Sequence, residues 1–453
     1  MRVIVVGGGE VGFAIARHLS EEKVDVVLIE QDEGRCARAR DAMDISVLQG
    51  HGASPRMLKR AGIDNAGILI AVTNSDEVNL VACLIAAQLN PPVRRICRLR
   101  DMDYMDHIER LGCEGLGVDV VINLDFEAAK GMVDLMEVPT ADSVRHFAGG
   151  KIRATGFQVQ SGAPIVGMSL IDMAQKFDMT NVLVAAIERD GHVLIPRGGD
   201  HILNGDFLWM IVGEGRMDDV SGWIGRTPYR LKRVMIAGGT AVGFHLARLL
   251  EAKGIPVKLM EPDHKRAEVW AGMLNSTVVI NGKGIDLGLL REENIGDVSA
   301  FVAATDLDED NILSAMLATK EAVPKVIAMV ERSEYAHVLS SIGVHAMISK
   351  NTQAVSVILG MLRRGKILST ALLGRDAEVI EYSALETSKV TSAPLKDLDF
   401  PKGALLACIV RDDQLIIPSG ETHVQVGDHI LVFTMKKSVK KVEKMMTVAL
   451  GYF

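Results

Sequence analysis

Short apolar runs alternate with helical patterns over the first part of the chain: VIVV (3–6), VVLI (26–29), SVLQ (46–49), ILIAV (68–72), ICRL (96–99) and VVI (120–122). Continuous rather than alternating hydrophobicity predicts strands buried on both faces, as in a parallel sheet. Between them, Val11–Leu19 carries Val11, Ile15 and Leu19 on one stripe, the period of an amphipathic helix. The same texture returns in VMIA (234–237), VKLM (257–260), TVVI (277–280), FVAA (301–304), VIAM (326–329) and MIS (347–349). After each block comes an apolar helix, over Asp125–Glu137 and Thr352–Arg363, and then a change to alternating strands with turn residues. In that part HILNGDFLWMIV (201–212) predicts a hairpin turning at Asn204-Gly205, and HVQVGDHILVF (423–433) predicts another at Gly427-Asp428.

The chain is duplicated. VGGGEVGFAIARHL (6–19) matches AGGTAVGFHLARLL (237–250), AVTNSDEVNL (71–80) matches AATDLDEDNI (303–312), and AAIERDGHVLIPRGGDHILNGDFL (185–208) matches ACIVRDDQLIIPSGETHVQVGDHI (407–430). A unit of half the chain is too long for a solenoid repeat, so each copy is a pair of domains. The fold class expected is α/β: a tandem duplication of a Rossmann-like, doubly wound domain followed by a small α+β domain. The expected boundaries are 1–124 with a crossover helix to about 138, 139–225, 232–351 with a crossover helix to about 366, and 367–453.

Composition narrows the function classes. The 453 residues carry a net charge of −8, which gives no electrostatic basis for nucleic-acid binding. Short basic stretches at 226–233 and 435–444 read as solvated surface. No apolar run reaches the roughly 18 residues that span a bilayer, and no secretory signal precedes the first strand, so a cytoplasmic protein is expected. The five cysteines, Cys36, Cys83, Cys97, Cys113 and Cys408, form no CxxC pair, which argues against a disulfide framework or a zinc site.

The chemistry concentrates at the first glycine turn. Strand VIVV runs into Gly7, Gly8 and Gly9, followed by Glu10, Val11 and Gly12, and a helix begins there. Gly7 permits the tight turn, Gly9 lets backbone approach a pyrophosphate, and Gly12 lets helix pack on strand. The helix start offers free N–H groups near Glu10 and Val11 to an anion. Glu30 ends the second strand, where a carboxylate accepts ribose hydroxyls and repels a 2′-phosphate, so NAD(H) or an adenine nucleotide is favoured over NADP. Thr73 and Asn74 follow the fourth strand, partly as helix cap and partly as nucleotide contacts. Arg98 and Arg100 near the end of the fifth offer cations for phosphate. Gly50 and Gly52 flank His51 after the third strand, where they permit close approach to adenine.

The second copy keeps Gly238, Gly239, Ala241, Val242, Gly243, Glu261 and Thr305, but has Thr240 for Gly9 and Met329 and Glu331 for the two arginines. A Cβ at 240 crowds the pyrophosphate, so altered or absent binding is expected there. Asp306, Asp308 and Asp310 imitate the start of a calcium loop, but Asn311 and Leu317 stand where such a loop needs Gly and Glu. No metal site is expected. An NAD-dependent oxidoreductase is the rival reading, but the small modules offer no paired acid and base, and His201 and His423 read as half-buried structural residues.

GGGEVG, LIEQD, LQGHGASPRMLKRAGI, AVTNSDEVNLVAC, LMEPD and AATDLDEDN together resemble the TrkA family, the peripheral nucleotide-binding subunits of bacterial Trk potassium uptake systems, built from tandem RCK units (regulators of potassium conductance). The resemblance implies a non-enzymatic cytoplasmic protein, peripheral on the inner face of the membrane, that binds NAD(H) and also ATP or ADP. It also implies a potassium-translocating membrane partner and pairing of α/β domains through the crossover helices, so that a homodimer or higher assembly forms a ring.

Overall fold

The computed structural model describes residues 2–101, 104, 115, 117–332, 335, 339, 342–344, 346–362, 367–374 and 376–446. Cys113 and the ends of the second crossover helix and of the last module lie outside these. The described chain forms two compact units, Met1–Ala128 with Lys350–Ile358, and Ala129–Ser349 with Leu359–Phe453.

In the first unit β1 (Arg2–Val6), β2 (Asp25–Glu30), β3 (Ser46–Gln49), β4 (Ala66–Ala71), β5 (Arg94–Arg98) and β6 (Val120–Ile122) make one sheet. Its order is β3-β2-β1-β4-β5-β6, and every pairing is parallel. The order reverses between β1 and β4, which opens a crevice at their carboxyl ends. Ile4, Leu28 and Leu69 are fully buried, as the continuous apolar runs require. The helix Leu124–Glu137 begins in this unit, and its buried Asp125 meets Lys350 at 3.4 Å.

In the second unit β7 (Ser143–Phe147), β8 (Ile152–Gln158), β9 (Val182–Arg189), β10 (His192–Leu194) and β11 (Phe207–Val212) form an antiparallel sheet of order β10-β9-β11-β8-β7. The strands β12 (Val234–Ala237), β13 (Val257–Glu261), β14 (Val278–Asn281), β15 (Ala300–Ala303), β16 (Lys325–Met329) and β17 (Ala346–Ile348) repeat the first parallel sheet strand for strand. Finally β18 (Ile367–Leu373), β19 (Ala377–Ser383), β20 (Ala404–Arg411), β21 (Gln414–Ile416) and β22 (His429–Met435) make a second antiparallel sheet, of order β18-β19-β22-β20-β21. The two antiparallel sheets share one core: Phe147, Trp209 and Ile211 of the first lie in the same buried cluster as Val379, Leu431 and Phe433 of the second.

The two expected hairpins are absent. Asn204-Gly205 and Val426-Gly427 do form turns, but only the segment after each turn is a strand. His201 instead bridges Ser169, and both modules carry the same ionic clamp. Arg189 pairs with Asp206 at 2.7 Å and donates to His201 O at 2.8 Å, and Arg411 pairs with Asp428 at 2.7 Å and donates to His423 O at 2.9 Å. In both modules the guanidinium ties the segment before the turn to the aspartate after it. His201 and His423 are exposed, not half-buried, and serve these clamps through their backbone oxygens.

Lys325, at the start of β16, is buried, and its ammonium donates to the carbonyl oxygens of Ala141 and Pro139. Beside it Arg226 pairs with Asp142 at 2.6 Å. Burial pushes the Lys325 ammonium down to about 8, with Asp142 opposing the shift and Arg226 adding to it. The folded state therefore binds fewer protons than the unfolded state between about pH 8 and 10.5, the ordinary lysine value, and stability rises with pH across that window. The rise from this group is roughly 3 kcal/mol in full. Thermal unfolding followed from pH 7 to 10 is expected to show that rise in the native chain and to lose it in Lys325→Met. Parallel pH profiles of the two proteins would rule the assignment out.

Candidate functional site

The crevice at the β1/β4 switch point is built by the glycine turn. Gly7 has φ +103°, a left-handed conformation that disfavours side chains. A Cβ on Gly12 would lie 1.9 Å from Gly7 O, so only glycine lets the helix Glu10–Glu21 pack this closely. Gly9 is the helix N-cap, in extended backbone and with no side-chain cap, and a Cβ there would find Arg35 Nη1 as its nearest neighbour at 4.0 Å. Val11 and Gly12 are buried, and Glu10 is exposed. The first-turn N–H groups therefore have no side-chain acceptor from the cap, the arrangement that suits an anion.

Glu30 closes one side. Its carboxylate is 8 % exposed and accepts N–H bonds from Gln31 at 2.7 Å and Asp32 at 2.9 Å, and from Gly8 at 2.5 Å. These backbone donors fix the orientation of the carboxylate beside the turn. Two cations that sequence reasoning missed stand at the rim. Arg35 lies over Gly9, and Arg38 pairs with Glu10 at 2.6 Å while covering the Phe13 ring at 4.2 Å. The hydrogen bond from Arg38 holds the Glu10 carboxyl below its ordinary range. Their signal was the basic run RCARAR just beyond Glu30.

Across the crevice, Ser75 caps the helix Asp76–Leu89, and Asn74 is exposed. Thr73 is fixed by a residue not anticipated, Asn79. This fully buried amide accepts from Thr73 N at 2.9 Å and Thr73 Oγ1 at 2.7 Å, and donates to Thr73 O at 3.2 Å and Arg98 O at 3.0 Å, joining the ends of β4 and β5. Asn311 repeats this between Thr305 and Met329. The Thr-x5-Asn spacing present in both copies was the available signal. Asp76 likewise accepts from Arg100 N and Asp101 N, both at 2.8 Å, and Asp308 repeats it with Glu331 N and Arg332 N. That is the use of Asp308 in the acidic run. Replacing Asn79 with alanine strands several buried backbone groups and is expected to destabilise the β4–β5 edge by about 3 kcal/mol. Hydrogen–deuterium exchange should then rise in peptides covering 66–71 and 94–98; unchanged protection there would contradict it.

Arg98 is partly buried, with its Nε enclosed and without a hydrogen-bond partner. Burial pushes its guanidinium down, with Asp125 opposing. Arg100 is exposed. The glycines around His51 have a packing reason: a Cβ on Gly50 would meet Met57 at 2.7 Å, and one on Gly52 would meet Val6 at 2.0 Å. His51 itself is exposed and accepts from Ala53 N at 3.2 Å.

In the second copy Gly238 has φ +117°, and a Cβ on Gly243 would lie 2.0 Å from Gly238 O. Gly239 packs on buried Glu261, which a Cβ would meet at 2.7 Å. Ala241 and Val242 open the helix Ala241–Ala252, but here the cap is filled: Thr240 accepts from Gly243 N. Thr305 is half-buried at the end of β15.

Two doubly wound sheets, each with a glycine turn facing a strand-end carboxylate, and two antiparallel modules on a common core define a tandem protein of dinucleotide-fold domains. The TrkA-N domain model matches residues 3–124 and 234–350, and the TrkA-C domain model matches 155–225 and 379–447. A Trk system potassium uptake protein TrkA homolog of Methanosarcina mazei is 34 % identical, covering 98 % of this chain and 99 % of that one. The Trk system potassium uptake protein TrkA of Azorhizobium caulinodans is 32 % identical, covering both in full. The chain belongs to this TrkA family of Trk system potassium uptake proteins. Among solved structures, a GsuK channel bound to NAD has the same fold at a TM-score of 0.61 and 16 % identity, over 98 % of this chain and 78 % of that one. No helix among the described residues is long and apolar enough to cross a membrane.

Proposed function

We propose that this chain is the regulatory subunit of a Trk-type potassium uptake system, binding NAD(H) at the first glycine turn without turning it over. One observation carries the reading: the helix N-terminus at Gly9 is left uncapped directly beside the Glu30 carboxylate, so phosphate and ribose each have a matched partner. Gly7–Gly12 cradle the pyrophosphate, Glu30 takes the ribose hydroxyls, and Thr73 and Asn74 border the far side. Arg98 and Arg100 contribute positive potential from the end of β5, and ATP or ADP competes for the same turn. The chain divides into two RCK pairs near residue 230, and two chains supply four α/β domains to a ring on the inner face of the membrane, docked on the potassium-translocating subunit. Nucleotides that bind two ring shapes with tenfold different affinity shift their balance by about 1.4 kcal/mol per site.

The test is titration of NADH, ATP and ADP into the full chain, together with potassium flux through a Trk membrane subunit in vesicles. Saturable binding with a nucleotide-dependent change in flux is expected. If no nucleotide binds or alters flux, the proposal fails; reproducible substrate-dependent turnover at 340 nm would instead favour the oxidoreductase.

A further inference from the structure

The two strand-end carboxylates are held in different ways. Glu30 accepts the N–H of Gln31, whereas Pro262 stands at that position in the second copy and has no N–H to give. Oε1 of Glu261, a residue with no exposed surface, accepts from Asp263 N at 2.7 Å and from the guanidinium of Arg266 at 2.8 Å. Its other oxygen, Oε2, is enclosed without a hydrogen-bond partner.

The turn above it is also filled. Thr240 is 8 % exposed; its hydroxyl donates to Ala304 O at 2.7 Å, bridging the turn to the end of β15, and accepts from Gly243 N at 3.3 Å. One N–H that a phosphate would use is thereby taken, and the side chain spans the crevice that Gly9 leaves open. Trp270 Nε1 donates to Gly239 O at 2.6 Å, and the indole stacks on Phe244 with centroids 4.3 Å apart. Gly9 and Ala39 stand at the positions of Thr240 and Trp270 in the first copy.

We propose that the second glycine turn is closed by the protein's own side chains and excludes nucleotide phosphate and ribose, with Thr240 and Arg266 setting this specificity. Thr240 takes the place of the phosphate, Arg266 covers Oε1 of Glu261 while Oε2 is enclosed, and Trp270 holds the turn beneath them. The proposal rests on the first turn being the nucleotide site. It makes each chain a one-nucleotide subunit.

The experiment counts NADH sites on the full chain by equilibrium titration, with the share of the emission of the three tryptophans that Trp270→Phe removes as the local Trp270 reporter. Native protein is expected to bind one NADH per chain, and Thr240→Gly/Arg266→Ala two, with the second event changing Trp270 emission. Thr240→Gly alone, a smaller disturbance, is expected to bind the second NADH at least tenfold more weakly than the double variant. Two sites in native protein, or one in the double variant with native far-ultraviolet dichroism, would overturn the closure. If native protein binds none, the reading of the first turn fails, and the double variant still decides: one site with a Trp270 response upholds closure, and none defeats it.

Discussion

Gly9→Val is expected to lower NADH affinity by at least about 100-fold, near 3 kcal/mol, while changing thermal stability by less than about 1 kcal/mol. The fold should accept the side chain. Gly9 sits at φ −63° and ψ −177°, extended backbone that valine adopts readily, and a Cβ there meets nothing closer than Arg35 Nη1 at 4.0 Å. The space it would fill is the space over the uncapped N–H groups. A branched side chain there separates phosphate from those donors and lets no anion approach within hydrogen-bond distance. Calorimetric titration and a melting curve on the same sample check both halves. Full affinity retained in a folded variant would remove the first turn as the site.

Thr240 is the natural counterpart of that substitution, and it illustrates what a sequence can and cannot carry. The loss of the middle glycine was legible, because the duplication supplies its own reference copy. How the second turn then satisfies itself was not. Its donors come from Arg266 and Trp270 on the next helix and its acceptor from Ala304 at the end of β15, pairings that depend on a tertiary crevice. The central strands of both parallel sheets were readable because burial on two faces makes them continuous apolar runs, whereas the edge strands β3 and β14 are only partly buried. Asn79 was not singled out, since one asparagine in a helix start reads as a cap until the ends of β4 and β5 are seen converging on it.

The antiparallel modules were less legible for a related reason. Alternation and a Gly-containing turn marked 201–212 and 423–433 as hairpins, but His201 bridges Ser169 and an arginine from a neighbouring strand binds one carbonyl in each first arm. Nor did periodicity reveal that the two modules share a core, because an inward-facing strand residue looks the same whether its partner is 20 or 220 residues away. GHG was legible as a close approach, yet what approaches is the protein itself, Met57 and Val6.

Gly12→Ala separates packing from binding in the opposite sense. Here the added methyl would lie 1.9 Å from Gly7 O, 3.0 Å from Gly7 C and 3.3 Å from Val72 Cγ2, so helix and turn must move apart. Backbone on the other side of the contact cannot rotate away as a flexible side chain would. The expected loss is about 3 kcal/mol or more, at the upper end for overpacked sites, and it falls on the contact between β1 and the helix Glu10–Glu21. Hydrogen exchange of peptides covering 2–21 should accelerate, and NADH binding should fall because the turn is displaced. Gly243→Ala meets Gly238 O at 2.0 Å and should loosen β12 and the helix Ala241–Ala252 to a similar degree. Because the second turn is closed to nucleotide, that variant should keep the NADH affinity of the native chain while losing stability. The pair of alanines thus gives equal structural damage with unequal effects on binding, and equal losses of affinity would place nucleotide at both turns.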